Sequence, residues 1–225
     1  MRRVKILVEG QTEETFVRTL LTPHLAALGI GLTATVVKTS RTKDGRKFRG
    51  GVVSFAKIHR DLVELLDDSN VAGVTTMIDF YGLPRDFPGL LELPANLPAA
   101  ARVRMLESSL LKALGGDRRF LPYLSLHEFE ALLLTSPETI ETTLRVQGVA
   151  TELARIVATK GSPEEVNDGE ETHPSARIQR VAPSYRKALH GPIIATRIGL
   201  DSLRRSCLHF AEWLGRLEAL AIADH

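Results

Sequence analysis

Cysteine is almost missing from this chain: among its 225 residues there is one, Cys207. A lone thiol excludes an intrachain disulfide framework and any zinc site built on the cysteines of one chain. It also fits a reducing, cytoplasmic setting. Aromatic residues supply only 5% of the sequence, so aliphatic side chains must fill the core that a 44% hydrophobic content implies. No apolar run reaches the roughly 18 residues of a membrane span, and no signal-peptide pattern precedes the first apolar run. The expectation is a protein that neither crosses a membrane nor is exported. Neither sign of charge dominates, with a net charge of +2 and a pI of about 8.8. Affinity for an anionic partner therefore has to come from local clusters.

What is present is an alternation of strand-like and helical segments. The apolar run Val4 to Val8 reads as a buried strand. A helical pattern follows over residues 12 to 28, with Thr12 as its N-cap and Gly29 as its stop. Residues 33 to 38 are β-branched and extended, residues 39 to 51 are polar and glycine-rich, and residues 52 to 66 carry a helical apolar face. The run Val71 to Ile78 is the next buried strand, followed by a helix over residues 99 to 114 and an extended stretch over 120 to 126. Strands separated by helices predict an α/β fold with a mostly parallel, Rossmann-like sheet and right-handed crossovers. From residue 137 onward only helical patterns occur, the last over residues 203 to 221. The chain therefore divides into an α/β core, residues 1–136, and a helical C-terminal part, residues 137–225, packed on the core or appended to it.

Three strand ends carry acids. Glu9 closes the first strand, and Glu13 lies just across the turn. Asp79 closes the strand Val71 to Ile78. Glu128 and Glu130 follow the extended stretch, beside His127. In open α/β sheets that edge is where ligands sit, and carboxylates without thiols suit a hard cation such as Mg²⁺ or Mn²⁺. The plainer reading of Glu13 and Glu128 is first-turn decoration of a helix, and that of His127 is a capping or core hydrogen bond.

The segments Val8-Glu9-Gly10-Gln11-Thr12-Glu13-Glu14, Asp79-Phe80-Tyr81-Gly82-Leu83-Pro84, Leu126-His127-Glu128-Phe129-Glu130-Ala131 and Pro174-Ser175-Ala176-Arg177-Ile178 resemble the domain of unknown function family 4276. More loosely, a strand-end glutamate followed by an Asp-centred strand end resembles the Toprim domain of topoisomerases, primases and nucleases of the overcoming-lysogenisation-defect group. The Toprim resemblance implies a Mg²⁺-dependent nuclease, set in antiviral defence beside an ATPase. It gives Glu9 the glutamate role, Glu13 that of a second acid, and Asp79 the first acid of an Asp-x-Asp motif. Tyr81 stands where that motif has its second Asp, so one carboxylate is lost. Glu128 or Glu130 is the candidate replacement.

Two basic stretches complete the expectation. Arg41, Lys43, Arg46, Lys47 and Arg49 lie in the polar loop after the second strand, where they suit a phosphate backbone. Arg177 and Lys187 belong to a later stretch. Arg177 is a weaker candidate for a phosphate contact, and Lys187 is a candidate to stabilise phosphate charge during cleavage, as lysines do in the nucleases resembled. The alternatives are a nucleic-acid-binding or regulatory subunit without turnover, which Tyr81 favours, and a small-nucleotide hydrolase. A homo-oligomer is compatible with all three.

Overall fold

The structure is a computed structural model that describes residues 1–37, 54–94, 96–167 and 172–222. Its centre is a five-stranded sheet. Strand β1 (Arg2–Val8) lies between β2 (Ile30–Val36) and β3 (Val71–Asp79). Two very short strands, β4 (Phe120–Leu121) and β5 (Leu124–Ser125), share the outer edge of β3, and every pairing is parallel. The mostly parallel α/β architecture is thus present.

Helices cover both faces. Between β1 and β2, α1 (Gln11–Phe16) passes through a π-helical turn, Val17–Leu21, into α2 (Thr22–Ala27). On this face Val4, Ile6 and Val8 of β1 pack with Phe16, Leu21 and Leu25. Helices α3 (Phe55–Leu66) and α4 (Ala99–Ala113) cover the opposite face. There Leu7, Val74 and Ile78 meet Ile58, Leu62, Val103, Leu106 and Leu110. The alternation of Ile6, Leu7 and Val8 between two cores is the period of two that a strand buried on both faces requires.

The helical second half shares the first of these cores. After the short α5 (Glu130–Leu133) it runs through α6 (Pro137–Leu144), α7 (Val149–Lys160), α8 (Pro174–Val181), α9 (Lys187–Ile198), α10 (Leu200–Ser206) and α11 (Leu208–Ala219). Leu153, Ile178, Ile194, Phe210, Trp213 and Leu217 join Val4, Ile6 and Phe16 in one apolar cluster. The C-terminal helices are therefore a layer on the sheet rather than an appendage.

Three local expectations are corrected. The N-cap of α1 is Gly10, not Thr12; the Glu13 side chain accepts from the Gly10 amide at 3.0 Å. The extended stretch over 120–126 is broken at Pro122, which has no amide to give the ladder. Thr76 fills the gap: its Oγ1 accepts from the Tyr123 amide at 2.9 Å and donates to the Tyr123 carbonyl at 2.7 Å. The final helix is interrupted at Cys207, where φ is −121° and ψ 89°. Buried Glu164 stabilises the break by accepting from the His209 and Phe210 amides at 3.0 and 3.1 Å, satisfying donors at the start of α11.

Candidate functional site

The strand order places β1 at the point where the chain reverses its direction of travel across the sheet: β2 lies on one side of it and β3 on the other. In open parallel sheets the crevice outside the strand ends at such a point is the usual ligand position. Glu9 follows the last residue of β1, and Asp79 is the last residue of β3. The register pairs Val8 with Met77, and Glu9 Oε2 accepts from the Asp79 amide at 3.1 Å. The two acids thus end neighbouring strands and are held together. Glu13 hangs over the same turn from the first turn of α1.

The turn after β3 is shaped around Glu9. A Cβ on Gly82 would lie 3.2 Å from Glu9 Oε1, closer than most side chains tolerate. The Tyr81 amide donates to the His127 carbonyl at 2.9 Å. His127 itself has φ of 66°, a left-handed conformation uncommon outside glycine. Its Nδ1 sits 2.9 Å from Asn167 Nδ2.

The third acid pair arrives through β5. Asp79 is in register with Ser125, and Asp79 Oδ1 accepts from the Phe129 amide at 2.9 Å. This brings Glu128 and Glu130 beside the first three acids, but both are engaged. Glu128 accepts from the Ser175 amide and, through Oε2, from Ser175 Oγ at 3.2 Å; His173 Nδ1 lies 3.1 Å from its Oε1. It therefore fastens the N-terminus of α8. Glu130 is fully buried and accepts from Tyr185 Oη at 3.0 Å.

Among the described residues Lys187 brings a cation into the cluster. Its Nζ donates to Glu128 Oε2 at 2.9 Å and lies equally close to Glu130 Oε2, the latter an ion contact without hydrogen-bond alignment. The side chain is 41% exposed along its length, yet the ammonium turns inward.

Among the described residues one ammonium faces five carboxylates, an excess of negative charge. Burial pushes Glu9 up despite the opposing Asp79 amide. Burial raises Glu13 to about 7, with Glu9 adding to the rise. Asp79 is held well above the carboxylate range by burial and then by Glu9 and Glu13. Burial also lifts Glu130 to about 7 against the pull of Lys187. Glu128 goes the other way: burial raises it, but Lys187 and the Ser175 amide outweigh that effect. Burial lowers Lys187, and Glu130 and Glu128 more than restore it. All four raised groups, Glu9, Glu13, Asp79 and Glu130, are thus biased toward the protonated form, and a bound cation would oppose that bias.

As the side chains stand, no three His, Cys, Asp or Glu groups among the described residues converge into a ready coordination sphere. The chemistry of the donor set nevertheless fits a hard divalent cation. The donors are carboxylate oxygens, Glu9 and Asp79 each keep one oxygen on a backbone amide, and their mutual repulsion favours a cation between them.

The basic residues divide. Arg41, Lys43, Arg46, Lys47 and Arg49 lie outside the described residues. Arg177 does not reach outward: it is buried on α8, and its Nε donates to the Thr172 carbonyl. That position favours a structural tie over the phosphate contact expected of it. Sequence reasoning missed His173 and Asn167, which sit in a stretch that reads only as loop; neither carries a local signal of its contact with Glu128 or His127.

Among the described residues no helix is long and apolar enough to cross a membrane. No curated protein and no solved structure matches the chain. A family profile does match, over residues 8–218, which is nearly the whole chain and includes every acid described above. The chain belongs to the family described as Domain of unknown function (DUF4276).

Proposed function

We propose that the protein is a Mg²⁺- or Mn²⁺-dependent, Toprim-type nuclease that cleaves DNA or RNA phosphodiesters. The observation that carries this reading is the placement of Glu9 and Asp79 at the ends of neighbouring central strands, joined by a 3.1 Å hydrogen bond, with Glu13 beside them. Glu9, Glu13 and Asp79 are the residues that would hold the cation. When bound, it supplies charge neutralisation for phosphate oxygens and an acidified water.

The chain's own residues do the rest. The backbone bonds to Glu9 and Asp79 fix the direction of each carboxylate. Lys187, tethered by Glu128, keeps a positive charge beside the acids, where it would offset part of the charge of a bound phosphate. Glu128 and Glu130 act as anchors in this scheme rather than as replacements for the acid missing at Tyr81. The basic stretch around Arg46 and Lys47 is the expected phosphate contact. A defence role beside an ATPase rests on the resemblance alone, and a cytoplasmic location on the single cysteine.

The test is cleavage of single- and double-stranded DNA and RNA with Mg²⁺ or Mn²⁺, by the protein alone and with an ATPase encoded beside it. Glu9→Gln preserves shape and removes one charge, so it should abolish cutting, as should a chelator. Cutting that persists at the wild-type rate in Glu9→Gln moves the site elsewhere. A second reading, a binding or regulatory subunit, is favoured by the engagement of Glu128 and Glu130 with Lys187, Ser175 and Tyr185. Tight nucleic-acid binding without cleavage under any of these conditions selects it.

A further inference from the structure

The residue at the position of the second acid is an aromatic ring next to the cluster in sequence and in the fold. Tyr81 lies two residues beyond Asp79 and is 45% exposed, a large aromatic partly open to solvent beside buried acids. It stands on a fixed pedestal. Its amide is bonded to His127, and the next residue, Gly82, approaches the Glu9 carboxylate. Its ring lies 5.4 Å from that of His173, inclined by 38°. His173 is fixed in turn, with Nδ1 3.1 Å from both Glu128 Oε1 and Ser175 Oγ. The two rings are therefore positioned by the residues that build the acidic cluster, and they bridge its Asp79 side to its Glu128 side.

We propose that Tyr81, backed by His173, is a stacking platform for an unpaired nucleobase flanking the phosphate presented to the acids. The ligand is thus single-stranded nucleic acid or a frayed end. This rests on the reading that the cluster acts on phosphodiesters. A duplex hides its base faces, whereas a single strand offers one at every nucleotide, and aromatic side chains at a backbone-binding groove exploit that difference. The platform makes the site selective for strandedness rather than for sequence.

The test uses Tyr81→Trp. The only native tryptophan, Trp213, is buried, so wild-type protein gives the background signal. Oligothymidylate and oligouridylate should quench the new fluorophore, and an abasic strand of the same length and a blunt duplex should not; comparing the first two separates DNA from RNA. By anisotropy of the labelled strands, Tyr81→Ala should bind the single strand about 5- to 150-fold more weakly, with Tyr81→Phe close to wild type. Quenching without cleavage by wild type would leave the platform standing and remove the nuclease reading. Cleavage by wild type with unchanged KM in Tyr81→Ala would do the reverse. Equal quenching by the abasic strand, or absence of single-strand binding, overturns the proposal.

Discussion

Glu13 offers a stability measurement that probes the acidic cluster without requiring catalysis. Its carboxyl is raised from the ordinary 4.5 to about 7, first by burial. A carboxyl raised on folding favours the protonated native state. Its contribution is complete below about pH 4.5 and is lost as pH rises through about 7, because the folded protein binds more protons than the unfolded one across that window. Glu13→Gln mimics the protonated form permanently and keeps an oxygen to accept from the Gly10 amide. The two proteins should therefore coincide near the low end of the window and diverge above it. A rise of roughly 2.5 at about 1.36 kcal/mol each gives the variant an advantage of roughly 3 kcal/mol at about pH 8. In a chain of this size that is roughly 6 to 12 °C in Tm. Urea melts of metal-free protein at the two pH values measure it. A variant no more stable than wild type at the higher pH would refute the claim that burial holds the Glu13 carboxyl up despite its bond from the Gly10 amide.

Two further perturbations separate scaffold from site. Glu164→Ala removes the acceptor for two amides at the start of α11 and should cost about 1 to 3 kcal/mol; the near-ultraviolet signal of Trp213 should melt earlier, while divalent-cation binding to the folded protein stays unchanged. Gly82→Ala presses a methyl group toward Glu9 Oε1. It should weaken Mn²⁺ binding measured by calorimetry about tenfold or more, roughly 1.4 kcal/mol, with a smaller effect on the metal-free Tm.

The parts of this architecture written in local pattern were legible in the sequence. Val4 to Val8 and Val71 to Ile78 are apolar runs that end abruptly in acids, and both are central strands with those acids at their C-terminal edge. The helices over α3 and α4 follow their apolar periodicity within a few residues. What escaped depends on distant partners. The break at Cys207 is stabilised by Glu164, more than 40 residues earlier, so a continuous apolar period hid it. The split of the last strand reflects Pro122 together with Thr76, a hydroxyl on another strand. Glu128 reads as a third acid of the same kind as Glu9 and Asp79. Only the tertiary placement of Ser175, His173 and Lys187 reveals that its oxygens are already engaged.

The central claim is that Glu9 and Asp79 together take a divalent cation. The most direct measurement is calorimetric titration of Mn²⁺ into wild type, Glu9→Gln and Asp79→Asn at about pH 8, where the acids are most readily ionised. Saturable binding by wild type that is lost in both variants, with folding preserved by circular dichroism, is the predicted result. Equal binding by all three proteins, or no binding by wild type, would contradict it.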